Sequence, residues 1–161
     1  MFVGRSIRVS NQSAADAAAM RAARGAGRAI ARLARQVEHG LAPMELSLQQ
    51  YRALALLAEG PAGATRLAER LTVSPPSVTA VIDGLVARRL VARTPDPDDR
   101  RRLSLALTKT GRRLLLEADA AVSARLNEVA GHFEDGRDRV EALEDWHPAL
   151  DAHREQRKPG T

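Results

Sequence analysis

The sequence has no cysteine and only four aromatic residues, Phe2, Tyr51, Phe133 and Trp146. Without cysteine there is no disulfide, no thiolate metal site and no cysteine-based redox switch. With so few rings the core must be mostly leucine, valine and alanine, which favours closely packed helices. Lysine is scarce as well, since Lys109 and Lys158 are the only two among 25 basic residues. Positive charge is therefore carried by guanidinium, which binds phosphate or guanine bidentately where an ammonium cannot. No apolar run approaches the ~20 residues of a membrane span. The opening MFVGRSIRVSNQSAAD contains no long apolar segment of signal-peptide type. The expectation is a soluble, cytoplasmic protein with no membrane partner. No HExxH, P-loop, GxSxG or strand-preceded GxGxxG occurs. Neither an enzyme activity nor a cofactor is expected.

What is present points to one domain with extended arms. The chain has 161 residues, of which 44% are hydrophobic, enough for a core. Its formal charge of +5 favours an anionic partner such as nucleic acid.

The stretch Thr65 to Thr108 organises the rest. Within it, Ser74–Leu90 reads as a helix with a well-marked start. Ser74 can cap the first turn and Pro75 suits the first helical position. Val78, Val81, Ile82 and Leu85 recur at helical spacing and make one apolar face. The N-terminal surface carries Ser77, Thr79 and, by expectation, bare amide groups suited to a phosphate or a base edge. Upstream, ATRLAERLTV places Ala64, Leu67, Ala68 and Leu71 on one side of a shorter helix. The short break at Thr72–Val73 makes the pair a helix-turn-helix. Downstream, Val91–Thr94 and Leu103–Leu107 suit strands, the second alternating at Leu103, Leu105 and Leu107. Between them PDPDDRRR (Pro95–Arg102) specifies a turn with three arginines at its tip, a wing.

The flanks read as helices. Ser13 or Asp16 is the expected cap of a long helix ending near His39-Gly40, after a tail over residues 1–12. Met20, Ala23, Gly27, Ile30, Ala34 and Val37 form a seam of small and apolar residues that lets another helix approach. Gly25 and Gly27 each weaken the helix by about 1 kcal/mol, so it needs a partner. Arg21, Arg24, Arg28, Arg32 and Arg35 make a second stripe, read as a solvated face. Pro43 keeps the next connection non-helical. Ser47 then starts a helix burying Leu48, Tyr51, Leu54, Ala55 and Ala58, stopped by Gly60-Pro61. Thr108 caps a helix to about Phe133, with a seam of Leu115, Ala118, Val122, Leu126, Val129 and Phe133. A last helix over residues 137–150 is expected to bury Val140, Leu143, Trp146 and Leu150, with Pro148 ending or kinking it.

In this order the elements resemble the MarR family of winged-helix transcriptional regulators. The likeness runs from about Leu46 to Leu115. Its most specific part is LVARTPDPDDRRRLSLALTKTG, where the wing follows the recognition helix at a set distance. The resemblance implies a mainly α fold with a small β-wing. It divides the chain into a flexible tail (1–12), an N-terminal dimerisation helix (13–45), a winged helix-turn-helix domain (46–108), C-terminal dimerisation helices (109–152) and a flexible tail (153–161). It also implies a homodimer, the recognition helix in a DNA major groove, the wing tip in the adjacent minor groove, and a pocket for a small effector. An aromatic or phenolic molecule is the candidate effector.

Carried over by position, Ser74, Pro76, Ser77 and Thr79 match residues that face DNA. Arg101 matches the wing arginine that reaches the minor groove, flanked by Arg100 and Arg102. Asp99 matches the acid that braces the wing, and is expected to pair with Arg101 or Arg93. Arg88, Arg89 and Arg93 are candidate contacts to the DNA backbone, ahead of Arg52, Arg66 and Arg70. Asp83 reads as a structural partner for an arginine. Family members often carry a long polar residue where this chain has Ala80 and Gly84, so base reading is expected to lean on hydroxyls and DNA shape. His132, Glu134 and Asp135 are close in sequence but read as surface residues, and Tyr51 and Trp146 as core. The expected function is a sequence-specific double-stranded DNA-binding regulator, a ligand-responsive homodimeric repressor on a pseudo-palindromic operator. A DNA-binding accessory or architectural protein without an effector is the alternative.

Overall fold

In the computed structural model, residues 6–95 and 103–156 are described. Helix α1 (Ser6–Leu41) leads through a 3-10 turn (Ala42–Met44) to α2 (Leu48–Ala58), α3 (Ala64–Leu71) and α4 (Pro75–Ala87). Strands β1 (Val91–Pro95) and β2 (Leu103–Leu107) follow, then α5 (Lys109–Ala130), α6 (Gly136–Glu141) and α7 (Trp146–Gln156). This is a mainly α fold with a two-stranded wing. None of the described helices is long and apolar enough to cross a membrane. The chain divides into two compact units, residues 1–36 and residues 37–161.

The first unit is most of α1. It begins at Ser6, not at Ser13 or Asp16, so part of the expected tail 1–12 is helical. Once nucleated, a helix gains a bond per residue added. The alanine-rich run after Ser13 supplies high propensity, and both expected caps fall inside it. Ala23, Gly27 and Ile30 of the small seam are all exposed. At the other end Gly40 does not terminate the helix. It lies in the last turn, where a Cβ would sit 3.3 Å from the carbonyl oxygen of Ala121, so glycine here permits close approach to α5.

The second unit is built on one aliphatic core. Leu54 and Leu57 of α2, Leu67 and Leu71 of α3, Val78, Ile82 and Leu85 of α4, and Leu105 and Leu107 of β2 are buried together. Each large side chain so buried contributes roughly 1.5–3 kcal/mol. The expected faces of α3 and α4 are the buried ones, except that Ala64 is exposed and Val81 half-buried. On α2 the buried stripe is rotated. Ala53, Leu54 and Leu57 are buried and Ala58 is exposed, because α2 contacts α3, α4, α5 and β2 rather than one neighbour. Ser47 caps α2 in a reciprocal capping box with Gln50.

The wing pairs Val91 with Leu107 and Pro95 with Leu103 in an antiparallel register. Leu103 is exposed, against the expected alternation, since it lies at the far end of the ladder beyond the core. A third segment joins the sheet. Ala62 and Leu105 exchange both backbone hydrogen bonds, at 3.1 and 2.9 Å. One residue between Gly60-Pro61 and Gly63 carries no alternation from which a strand could be read. With the polar groups of Leu105 turned to Ala62, Arg93 and Pro95 occupy non-hydrogen-bonded positions of the β1–β2 ladder. The missing N–H of Pro95 therefore costs no ladder bond.

Helix α5 belongs to the same unit as the winged domain, since Leu115, Ala118 and Val122 enter the same core. Thr108 caps it, accepting from the Gly111 N–H at 2.9 Å. The expected last helix is instead two. Helix α6 stops at Glu141 and α7 starts at Trp146, with Pro148 in its first turn, where its missing N–H costs nothing. Helix α7 runs into the expected tail as far as Gln156. The expected burial fails here: Leu143, Trp146 and Leu150 are exposed, and so is Phe133 of the α5 seam. The short α6 packs mainly on α5, and one helix cannot cover an apolar stripe that turns away from it.

A hydrogen bond from the Tyr51 hydroxyl to Asp119 Oδ1 (2.7 Å) ties α2 to α5. Half-burial first, and then the Asp119 carboxylate, push the Tyr51 phenol well above its ordinary value. A raised folded-state value makes this contribution complete below the unfolded tyrosine value of about 10 and lost as pH rises through that of the folded state. Urea unfolding of the wild type should therefore show a decline in stability above about pH 10. Tyr51→Phe should be less stable by ~1–2 kcal/mol at neutral pH and lack that part of the alkaline decline.

Candidate nucleic-acid interface

Helix α4 is two-sided. Val78, Ile82 and Leu85 face the core, and Pro76, Ser77, Thr79, Ala80 and Asp83 are exposed. Ser74 has the extended backbone of a cap, and its Oγ accepts from the Ser77 N–H at 3.4 Å. The two serine hydroxyls are 2.8 Å apart. One hydroxyl donates to the other, which leaves one O–H of the pair to donate outward.

The expected bare amides are not there. Pro75 and Pro76 have no N–H, Ser77 gives its own to Ser74 Oγ, and Val78 gives its own to Ser74 O at 3.0 Å. The doublet Pro75-Pro76 was the sequence signal for this. The N-terminus of α4 therefore offers hydroxyls and a positive dipole end without an acid in its first turn, rather than free amides. Gly84 is not on the exposed face either. A Cβ there would lie 3.0 Å from Gln50 Nε2, so this position packs towards α2, and Ala80 alone occupies the outward position.

The arginines divide by what they already hold. Arg88 donates from both terminal nitrogens, to the carbonyls of Glu45 (2.8 Å) and Met44 (2.9 Å). These bonds make Arg88, a candidate DNA contact, also a brace of the turn before α2. It satisfies carbonyls at the end of the 3-10 turn, beside the left-handed Glu45 (φ 52°), where the helix ladder cannot. Arg93 pairs with Asp83 at 2.5 Å, which ties β1 to α4. Asp83 is so engaged, and Arg93 has an acid other than Asp99. Arg70 forms a bidentate pair with Glu59, at 2.6 and 3.0 Å, a contact unmarked in the sequence. Arg52 bonds Gln49. Arg66 is exposed. Asp99, Arg100, Arg101 and Arg102 lie outside the described residues.

Away from this face, Asp135 is held below the usual carboxylate range by its hydrogen bond to Arg139. Among the described residues no three histidine or acidic side chains are grouped to hold a metal ion.

The sequence profile of the MarR family matches residues 44–102, which cover α2 to the wing. CouR bound to a 23-mer DNA duplex superposes with a TM-score of 0.65 at 32% identity, over 79% of this chain and 89% of that one. The chain belongs to the MarR family. This family is one of transcriptional regulators, not of enzymes. CouR from Rhodococcus jostii RHA1 bound to p-coumaroyl-CoA superposes on this MarR-family chain with a TM-score of 0.63 at 28% identity, over 77% and 87%. The repressor NicR of Pseudomonas putida is 30% identical over 101 residues, and the match spans 63% of each chain.

Because both guanidinium ends of Arg88 are already bonded, Arg88→Ala should act on stability. Urea denaturation should show a loss of ~1–3 kcal/mol as two carbonyls lose their donor.

Proposed function

We propose that this MarR-family chain is a homodimeric, sequence-specific DNA-binding repressor that a small effector releases. One observation carries the reading: α4 buries its apolar stripe and keeps Ser77 and Thr79 on its exposed face. Two such helices, one per protomer, read half-sites ~34 Å apart in successive major grooves. The serine hydroxyls and the dipole end position phosphates, and Pro76, Thr79 and Ala80 present small apolar groups to thymine methyls. Asp99 braces each wing, and Arg101 enters the minor groove with Arg100 and Arg102 beside it on the backbone.

Exposed apolar side chains support the dimer. Met20 (59% exposed) and Ile30 (63%) on α1, and Trp146 (61%) and Leu150 (59%) on α7, are large groups that a protomer alone leaves in water. That CouR is held with DNA in one structure and with p-coumaroyl-CoA in another supports both partner classes. An effector would favour a spacing of recognition helices that misses the half-sites, a coupling of ~1–3 kcal/mol. A DNA partner supports a cytoplasmic location.

The test is footprinting upstream of the chain's own coding region, followed by duplex titration. Ser77→Glu adds an acid where the dipole tolerates it, so the fold should keep its stability. Duplex affinity should nevertheless fall tenfold or more, and a variant that binds as the wild type does would remove α4 from the interface. Arg101→Ala should weaken binding and reduce the slope of log affinity against log salt by about 1. An unchanged slope would take the wing out of the mechanism.

A further inference from the structure

The formal charge of +5 is unevenly placed along the chain. Residues 1–36 hold seven arginines against one acid, Asp16, a formal +6, so the rest of the chain carries −1. Five of those arginines, Arg21, Arg24, Arg28, Arg32 and Arg35, lie on α1 and are exposed. On a helical wheel they share a sector of about 80°, and they run ~21 Å along the axis. Among the described residues none of the five makes a hydrogen bond or ion pair. From Ala17 to Val37 the helix has no acid. Arginines three and four apart therefore repel with nothing between them to relieve it. The other exposed helix faces are built differently. Arg113 pairs with Glu117 and Arg125 with Glu128 on α5, Arg139 with Asp135 at α6, and Arg154 with Asp151 on α7. A face that needs only solvation is laced with both signs, as these are. A row of one sign is what an anionic partner needs.

We propose that the arginine row of α1 is a second nucleic-acid surface, which binds the phosphate backbone of double-stranded DNA without reading its sequence. A duplex presents a phosphate for every ~1.7 Å of its axis, so a row of ~21 Å meets enough of them to engage each guanidinium. Guanidinium takes phosphate bidentately, and every cation in the row is arginine. Contacts of this kind hold a protein on DNA and carry no base information. A lipid surface would need large apolar groups beside the row, where α1 has Ala23, Gly27 and Ala34. That small seam occupies another sector of the helix, so pairing two copies through it leaves the row open. The row belongs to a different compact unit from α4 and the wing, and its binding of random duplex does not rest on their reading an operator.

The test is titration of the full chain with a random-sequence duplex over a range of salt. Vesicles of phosphatidylserine and phosphatidylcholine in equal parts are titrated in parallel. Arg24→Gln/Arg28→Gln/Arg32→Gln should weaken duplex binding tenfold or more at about 0.1 M salt. The slope of log affinity against log salt should become shallower by ~2–3 per bound chain. Glutamine keeps the helix propensity, and these side chains hold nothing in the fold, so the variant should stay folded. Arg137→Gln/Arg139→Gln/Arg154→Gln removes the same charge from α6 and α7 and should leave affinity and slope nearly unchanged. An equal loss in that control would overturn the row in favour of net charge. Unchanged affinity and slope in the α1 variant would overturn duplex binding by the row, and loss of vesicle binding alone would give the row to lipid. Ser77→Glu tests α4 separately, and the effect of the α1 substitutions on random duplex should persist in its presence.

Discussion

The carbonyl of Leu90 is where the helix that presents hydroxyls and the helix that follows the wing are locked together. It accepts from the Thr108 N–H at 3.1 Å, while the Thr108 hydroxyl reaches the Arg89 carbonyl at 2.8 Å. The same hydroxyl accepts from Gly111, so one side chain caps α5 and closes α4. Backbones approach so closely here that a Cβ on residue 111 would lie 2.0 Å from the Leu90 oxygen. No neighbouring rotamer can relieve a clash with a backbone carbonyl, so glycine is the residue the junction requires. Arg89 turns the chain through a left-handed conformation (φ 57°) to bring this carbonyl into place. The wing hangs from the same junction, since β1 starts at Val91 and β2 ends at Leu107.

From this point the rest of the second unit follows as one packed body. Helix α5 carries Leu115, Ala118 and Val122 into the core and offers Asp119 to Tyr51 on α2. Charged side chains then brace the parts that the aliphatic core does not reach. Arg88 holds the turn before α2, Arg93 and Asp83 hold β1 to α4, and Arg70 with Glu59 holds α3 to the end of α2. Exposed pairs of this kind add little stability singly. Their geometric consequence is larger: three arginines are committed to the orientation of α3, α4 and the wing. A high arginine content therefore overstates the positive surface left for an anionic partner.

The site was legible in part. The cap Ser74, the first-turn proline and the inward stripe of α4 follow from residue type and spacing, and the protein has them. The expected free amides are absent from α4, a loss that Pro75 and Pro76 spell out. Arg88 and Arg70 could not be assigned, because their partners lie 43 and 11 residues away and no local pattern marks them. The bridge at Ala62 rests on one residue. The C-terminal apolar stripe is exposed against expectation, because periodicity reports that a face is apolar, not what covers it.

The sequence by itself determined the order of helices and strands as far as α5, the aliphatic make-up of the core, the caps at Ser47, Ser74 and Thr108, and the family. These are local or additive properties: propensity, period and composition act within a few residues. Tertiary structure alone decided which arginines are spent as braces, which glycines permit contact, where α5 belongs, and that Leu143, Trp146 and Leu150 face outward. Those outcomes depend on distances between residues far apart in the chain, and no period or composition encodes such a distance until the backbone has closed on itself.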